Sequence, residues 1–153
     1  MTTQIIRKEQ IASTPGTVKT HFLNNNAVRT DKSLGRLAGL ENLGFHIIEV
    51  QPGHESTEFH FHHCEDECAY IISGEATVVI GEKEYRVGPG DFIAYPAGGE
   101  AHTMKNTGSE TLSCIIVGQS LPFDIVDYPN VKKRLYCHGE ESDLVGIGDI
   151  SNV

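Results

Sequence analysis

The chain has 153 residues, 39% hydrophobic and 22% charged, which suits one domain built on a single core. Its 21 acidic against 12 basic residues leave a net charge of -9, a field that repels phosphate backbones and anionic lipid, so neither nucleic acid nor a membrane is an expected partner. The opening MTTQIIRKEQ has no apolar core of the signal-peptide kind, and no apolar run is long enough to span a bilayer. The four cysteines Cys64, Cys68, Cys114 and Cys137 then read as reduced thiols of a cytoplasmic protein.

Residues 1–42 read as an irregular N-terminal extension. HFLNNNAVR is rich in turn-prone Asn, and the glycines of KSLGRLAGL allow one helical turn or a loop but no long helix. From Leu43 the texture changes. LGFHIIEV has the branched and aromatic content of a strand, QPG turns, TEFHFH alternates strictly, and ECAYII is a further strand closed by SGE. ATVVI and KEYRV flank the hairpin signal GEK. FIAYP follows the turn GPGD, and AHTMKN and TLSCIIV flank TGSE. About eight short strands at this spacing predict an all-β sandwich or barrel over 43–118. Residues 119–153 read as a C-terminal extension. SLPFDIVDYPNVKKRLY could hold a short helix or cover the barrel, and the end looks like a tail anchored at Leu144–Ile147.

The segment GHESTEFHFHHCEDECAYIISG concentrates the chemistry. On a strand TEFHFH, side chains alternate faces, so His60 and His62 point one way and Phe59, Phe61 and His63 the other. Two imidazoles on one strand face can bind one metal ion, and Glu67, opening the next strand, can fold back beside them. The same pattern suits an exposed hairpin. Histidines facing water and histidines facing an enclosed polar cavity look alike locally.

A second segment, GDFIAYPAGGEAHTMKN, adds a strand, a Pro-Gly turn and His102 at the start of another strand. Together the two segments resemble the paired motifs of the cupin superfamily. The first motif matches through His60, His62, Glu67 and Gly74; the second matches through Gly90, Pro96, Gly98, His102 and Asn106. Two loops depart from the common form by one residue each, between Gly53 and His60 and between Gly98 and His102. Both departures leave the ligand types intact. The flanking AVRTDKSLGRLAGL and VGQSLPFDIVDYPNVKKRLY are similar to a group of bacterial single-domain cupins, some described as sugar-phosphate isomerase-like.

The resemblance implies a double-stranded β-helix, or jelly-roll barrel, with His60, His62, Glu67 and His102 holding one divalent transition metal (Mn, Fe, Ni or Zn). It also implies a homodimer and a small-molecule ligand or substrate. Three imidazoles and one carboxylate would leave open positions on an octahedral ion, unlike a closed structural zinc. Three functions stay in view. The preferred one is a metalloenzyme of isomerase or epimerase type acting on a small polar metabolite. The others are an Fe- or Cu-dependent dioxygenase and a non-enzymatic binding or sensor module. A sugar phosphate needs inward-facing cations, and only Arg29, Lys32 and Arg36 could supply them by folding over the mouth. No residue is assigned as catalytic, and no organic cofactor is expected. Tyr70 reads as packing, and Tyr95 as structural or a proton donor. Met104 reads as cavity lining or core, and Asn106 as a loop clamp. His63 and Cys64 read as rim residues, with an activated thiolate the weaker alternative. His46 and His54 read as structural or exposed.

Overall fold

The computed structural model describes residues 4–151 and 153. Alternating segments cut by glycine turns form a chain of short antiparallel strands with little helix. In order come helix α1 (Lys8–Ser13), β1 (Thr17–His21), β2 (Asn24–Ser33), helix α2 (Leu34–Ala38), β3 (Leu43–Val50), β4 (Phe61–His62) and β5 (Glu67–Ser73). There follow β6 (Ala76–Ile80), β7 (Lys83–Val87), β8 (Phe92–Tyr95), β9 (His102–Asn106), β10 (Leu112–Gln119), β11 (Phe123–Tyr128), β12 (Lys133–His138) and β13 (Glu141–Gly146). No helix among the described residues is long and apolar enough to cross a membrane.

The strands form a six-stranded sheet in the order β1-β2-β3-β10-β5-β8, a four-stranded sheet β13-β12-β11-β4 and a three-stranded sheet β7-β6-β9. This is the expected jelly-roll, with hydrogen bonding divided among three sheets rather than running round one closed barrel. The core lies between the first and third sheets. Ile48 and Val50, Ala69 and Ile71, Ala76 and Val78, Ile93 and Tyr95, and Leu112 and Cys114 are inward pairs two residues apart. Met104 joins them, so core packing accounts for it. Tyr70 differs from expectation. It lies on the outer face, 46% exposed, opposite the exposed Phe92.

The flanking segments hold more strand than their composition suggests. β1 and β2 form a hairpin that extends the large sheet beside β3, and β11 to β13 form a meander whose first strand pairs with β4. Low β-propensity hid β2, whose sequence is NNNAVRTDKS. The inward face of the hairpin is also polar, because it lines a cavity rather than the core. KSLGRLAGL makes its single helical turn as α2, ended by Gly39 in the left-handed conformation at φ 82°. TEFHFH is strand only at Phe61–His62, because the chain changes partners there. His60 bridges to β9, and His62 pairs with β11.

A candidate metal centre

His60 and His102 are brought together by the backbone. Each donates its N–H to the other's carbonyl, at 3.1 and 2.8 Å, so the two residues stand directly opposite on neighbouring strands. Their ring centroids are 4.7 Å apart. Two residues on, the ring of His62 stands edge-on to that of His60 at 5.1 Å. Glu67 enters from the start of β5, opposite Gly118 of β10 and Tyr95 of β8. Its Oε2 lies 3.8 Å from Nε2 of His62.

One ligand atom from each of His60, His62 and Glu67 falls within 4.8 Å of the others. Atoms bound at about 2.1 Å to one ion stand about 3–4 Å apart, so a small contraction closes the group on a metal. His102 lies beside His60 but outside this group of three. Its ring stacks on Tyr95 at 3.6 Å and 4°, which gives Tyr95 a supporting role.

The hydrogen bonds leave the nitrogens that could bind a metal free. Nδ1 of His60 donates to the Glu58 carbonyl at 2.8 Å, which puts the proton on Nδ1 and the lone pair on Nε2. Nδ1 of His62 donates to Asp124 at 2.6 Å, with the same effect. Nε2 of His102 is buried without a partner among the described residues. A buried imidazole nitrogen left so is costly unless something binds it. Burial and neighbouring imidazoles lower His60 to about 3, and burial lowers His102 to about 4. Both rings are therefore neutral, as metal ligands must be. Burial raises the Glu67 carboxyl above its ordinary value, against the pull of His62, Arg29 and His46. This donor set fits a divalent transition metal.

Asp124 went unrecognised in the sequence. It is 1% exposed on β11, accepts from His62 and also accepts from the Cys64 backbone N–H at 2.9 Å. The carboxylate of Glu65 lies 3.7 Å from the same His62 nitrogen. His63 turns to the other side and bonds Asp127 at 3.1 Å, so it forms no pair with the exposed Cys64 thiol. Asn106 is fully buried and clamps the chain by donating to the carbonyls of Val50 and Glu110, as expected of a loop clamp.

The group opens onto a cavity of about 310 Å³. Its walls include Lys19 and His21 of β1, Arg29 and Asp31 of β2, and His46 of β3, together with His60, His62 and Glu67. His46 is thus a cavity residue. Its Nδ1 bonds the buried Asp31 at 2.8 Å, and Lys19 reaches the second oxygen of the same carboxylate. Burial alone would raise Asp31; the hydrogen bonds from His46 and Lys19 outweigh it and bring it to about 2. Of the three cations expected at the mouth, Arg29 lines the cavity, while Lys32 is turned away to the Ile11 carbonyl. Arg36 is not among the cavity walls, and Lys19 takes a place that composition did not reveal. At the hairpin tip His21 and Phe22 stack at 4.6 Å, and both meet Tyr128 edge-on, over the ring of His60.

A jelly-roll with a histidine and carboxylate group opening into a polar cavity defines the class. The chain belongs to the cupin superfamily: residues 46–118 match the cupin domain model. A crystal structure from Acidithiobacillus ferrooxidans, described as a "putative sugar phosphate isomerase", is 44% identical and superposes with a TM-score of 0.95, over 98% of this chain and 96% of that one. A sugar phosphate isomerase of the cupin superfamily from Silicibacter pomeroyi shares the fold at 23% identity and a TM-score of 0.79, over 91% and 90% of the two chains. A polyketide cyclase from Streptomyces resistomycificus shares it at 24% identity and a TM-score of 0.57, over 78% and 80%. No curated protein matches the chain.

Proposed function

We propose that the protein is a metal-dependent isomerase or epimerase of a small polyhydroxylated metabolite, with His60, His62, Glu67 and His102 as metal ligands. One observation carries this reading: the metal-capable group shares its cavity with a hydrogen-bonded Asp31–His46 pair. A bound divalent ion supplies polarisation of a substrate carbonyl or hydroxyl. The chain's own groups do the rest. Asp31 accepts from Nδ1 of His46, fixing the tautomer that leaves Nε2 free to take a proton from carbon. The imidazolium so formed is stabilised by the Asp31 carboxylate and can return the proton to the neighbouring carbon on the same face. The name of the 44% identical relative supports a sugar phosphate as substrate.

The test is proton exchange. The metal-loaded chain is incubated in D2O with a panel of aldose and ketose phosphates and followed by NMR. Deuterium appearing next to the carbonyl, dependent on metal and lost in His46→Gln, is the expected result. No exchange with any member, together with oxygen uptake under ferrous ion, would replace this reading with the dioxygenase. Tight ligand binding without any turnover would point to a binding module. We also propose a homodimer, as the open β8 edge and the exposed Phe92 and Tyr70 suggest. A solution mass equal to the 16.7 kDa chain by light scattering would reject it.

A further inference from the structure

We infer that Arg29 and Lys19 form an anion subsite inside the cavity, which takes a phosphate or carboxylate group of the substrate. This deepens the proposed function and rests on its reading of the cavity as the substrate site.

Lys19 and Arg29 are direct cross-strand partners in the β1–β2 hairpin, and both side chains line the cavity. Like charges placed directly opposite destabilise a strand pair. A chain with a net charge of -9 has no general surplus of cations to explain the placement. Asp31 offsets Lys19 and holds it in position. Arg29 has no carboxylate partner among the described residues; one guanidinium nitrogen donates to the Ser56 carbonyl.

Donor capacity is left over on both residues. A guanidinium has five N–H groups and an ammonium three. Arg29 commits its known bond to Ser56, and Lys19 commits one to Asp31. The remaining donors have no partner among the described residues. Arg29 and Lys19 share the cavity wall with His60, His62 and Glu67. A small substrate can span from this pair to the metal within one cavity of about 310 Å³.

The test titrates inorganic phosphate and, separately, acetate into the purified full-length chain by calorimetry at low ionic strength. Metal content is measured on the same preparations. Saturable binding is expected, weakened at least tenfold in Arg29→Met and in Lys19→Met at unchanged metal content, with a smaller loss in Arg29→Lys. Lys19 is half-exposed, so its variant keeps the test valid if Arg29→Met fails to fold. Phosphate binding more tightly than acetate assigns a phosphate ester; the reverse assigns a carboxylate. Absence of binding overturns the subsite, and so does binding equally strong in both variants, which would mean that the metal alone holds the anion. A chain that loads metal but ignores both anions fails here and leaves the metal reading standing. A chain that binds phosphate through Arg29 but takes up no metal keeps the subsite and loses the isomerase.

Discussion

Asp124 touches the side of His62 opposite Glu67, and so would act on a metal held there through the ring between them. A carboxylate bonded to a ligand histidine fixes its tautomer and raises its basicity. Asp124→Asn should weaken metal affinity by about 10–100-fold while the chain stays folded. His62→Ala should abolish stoichiometric metal. Elemental analysis beside circular dichroism measures both. Asp124→Asn with full affinity would mean that the pair is structural. His60, His62 and Glu67 could be read from sequence because eight positions hold all three, and alternation along a strand puts the two imidazoles on one face. Asp124 could not, since it lies 62 residues from its partner, in a segment outside the motif that meets His62 only when β11 pairs with β4. His46 and Lys19 were hidden in the same way, as single polar residues whose shared cavity exists only once β1, β2 and β3 are side by side, whereas Arg29 takes the place at the cavity that the sequence allowed it.

The strands most easily read from sequence were those facing the apolar core. β3, β5, β6, β8 and β10 alternate between buried apolar and more exposed positions. β2 and β11 were not, because their inward residues include Arg29 and Asp31, which line the cavity, and Asp124, which bonds His62. The turns were also legible. Gly74 sits at φ 87°, and a Cβ there would come within 2.8 Å of the Leu112 Cα and the Thr111 carbonyl oxygen. Both atoms are backbone and cannot swing aside. Gly74→Ala should therefore cost roughly 2–3 kcal/mol and lower Tm by about 4–10 °C, with metal stoichiometry preserved in the folded fraction. Calorimetric melting of the two chains decides it. An unchanged Tm would show that the β5–β6 turn relaxes freely.

Across the molecule, acid should act in two stages on metal-free protein. His60 and His102 are held neutral when folded, with ordinary values of 6.5 lowered to about 3 and about 4. The unfolded chain binds more protons between those limits, so stability falls as pH drops below about 6.5. Asp31 adds a second loss. Its carboxyl sits at about 2 against an ordinary 3.8, so the stability it contributes is present above about 3.8 and fades as pH approaches 2. Melting curves of chelated protein from pH 8 to pH 3 should show the first decline. Added metal should hold it back, because bound imidazole cannot take up a proton. Asp31→Asn should remove the lower stage, roughly 1–2 kcal/mol, and leave the upper one. A flat Tm from pH 7 to pH 4 without metal would contradict the buried neutral histidines.

The pairing of β4 with β11 has a consequence for how the chain is made. All of His60, His62, Glu67 and His102 leave the ribosome before Asp124 does, and β4 has no β11 partner until then. Synthesis proceeds at about 5–20 residues per second, so the nascent chain carries its candidate metal ligands for a few seconds before the strand that orients His62 emerges. On the proposed reading, a metal met in that interval would find a half-built centre and could exchange with the cell's pool. Selection among competing ions would then wait until the C-terminal meander closes against β4.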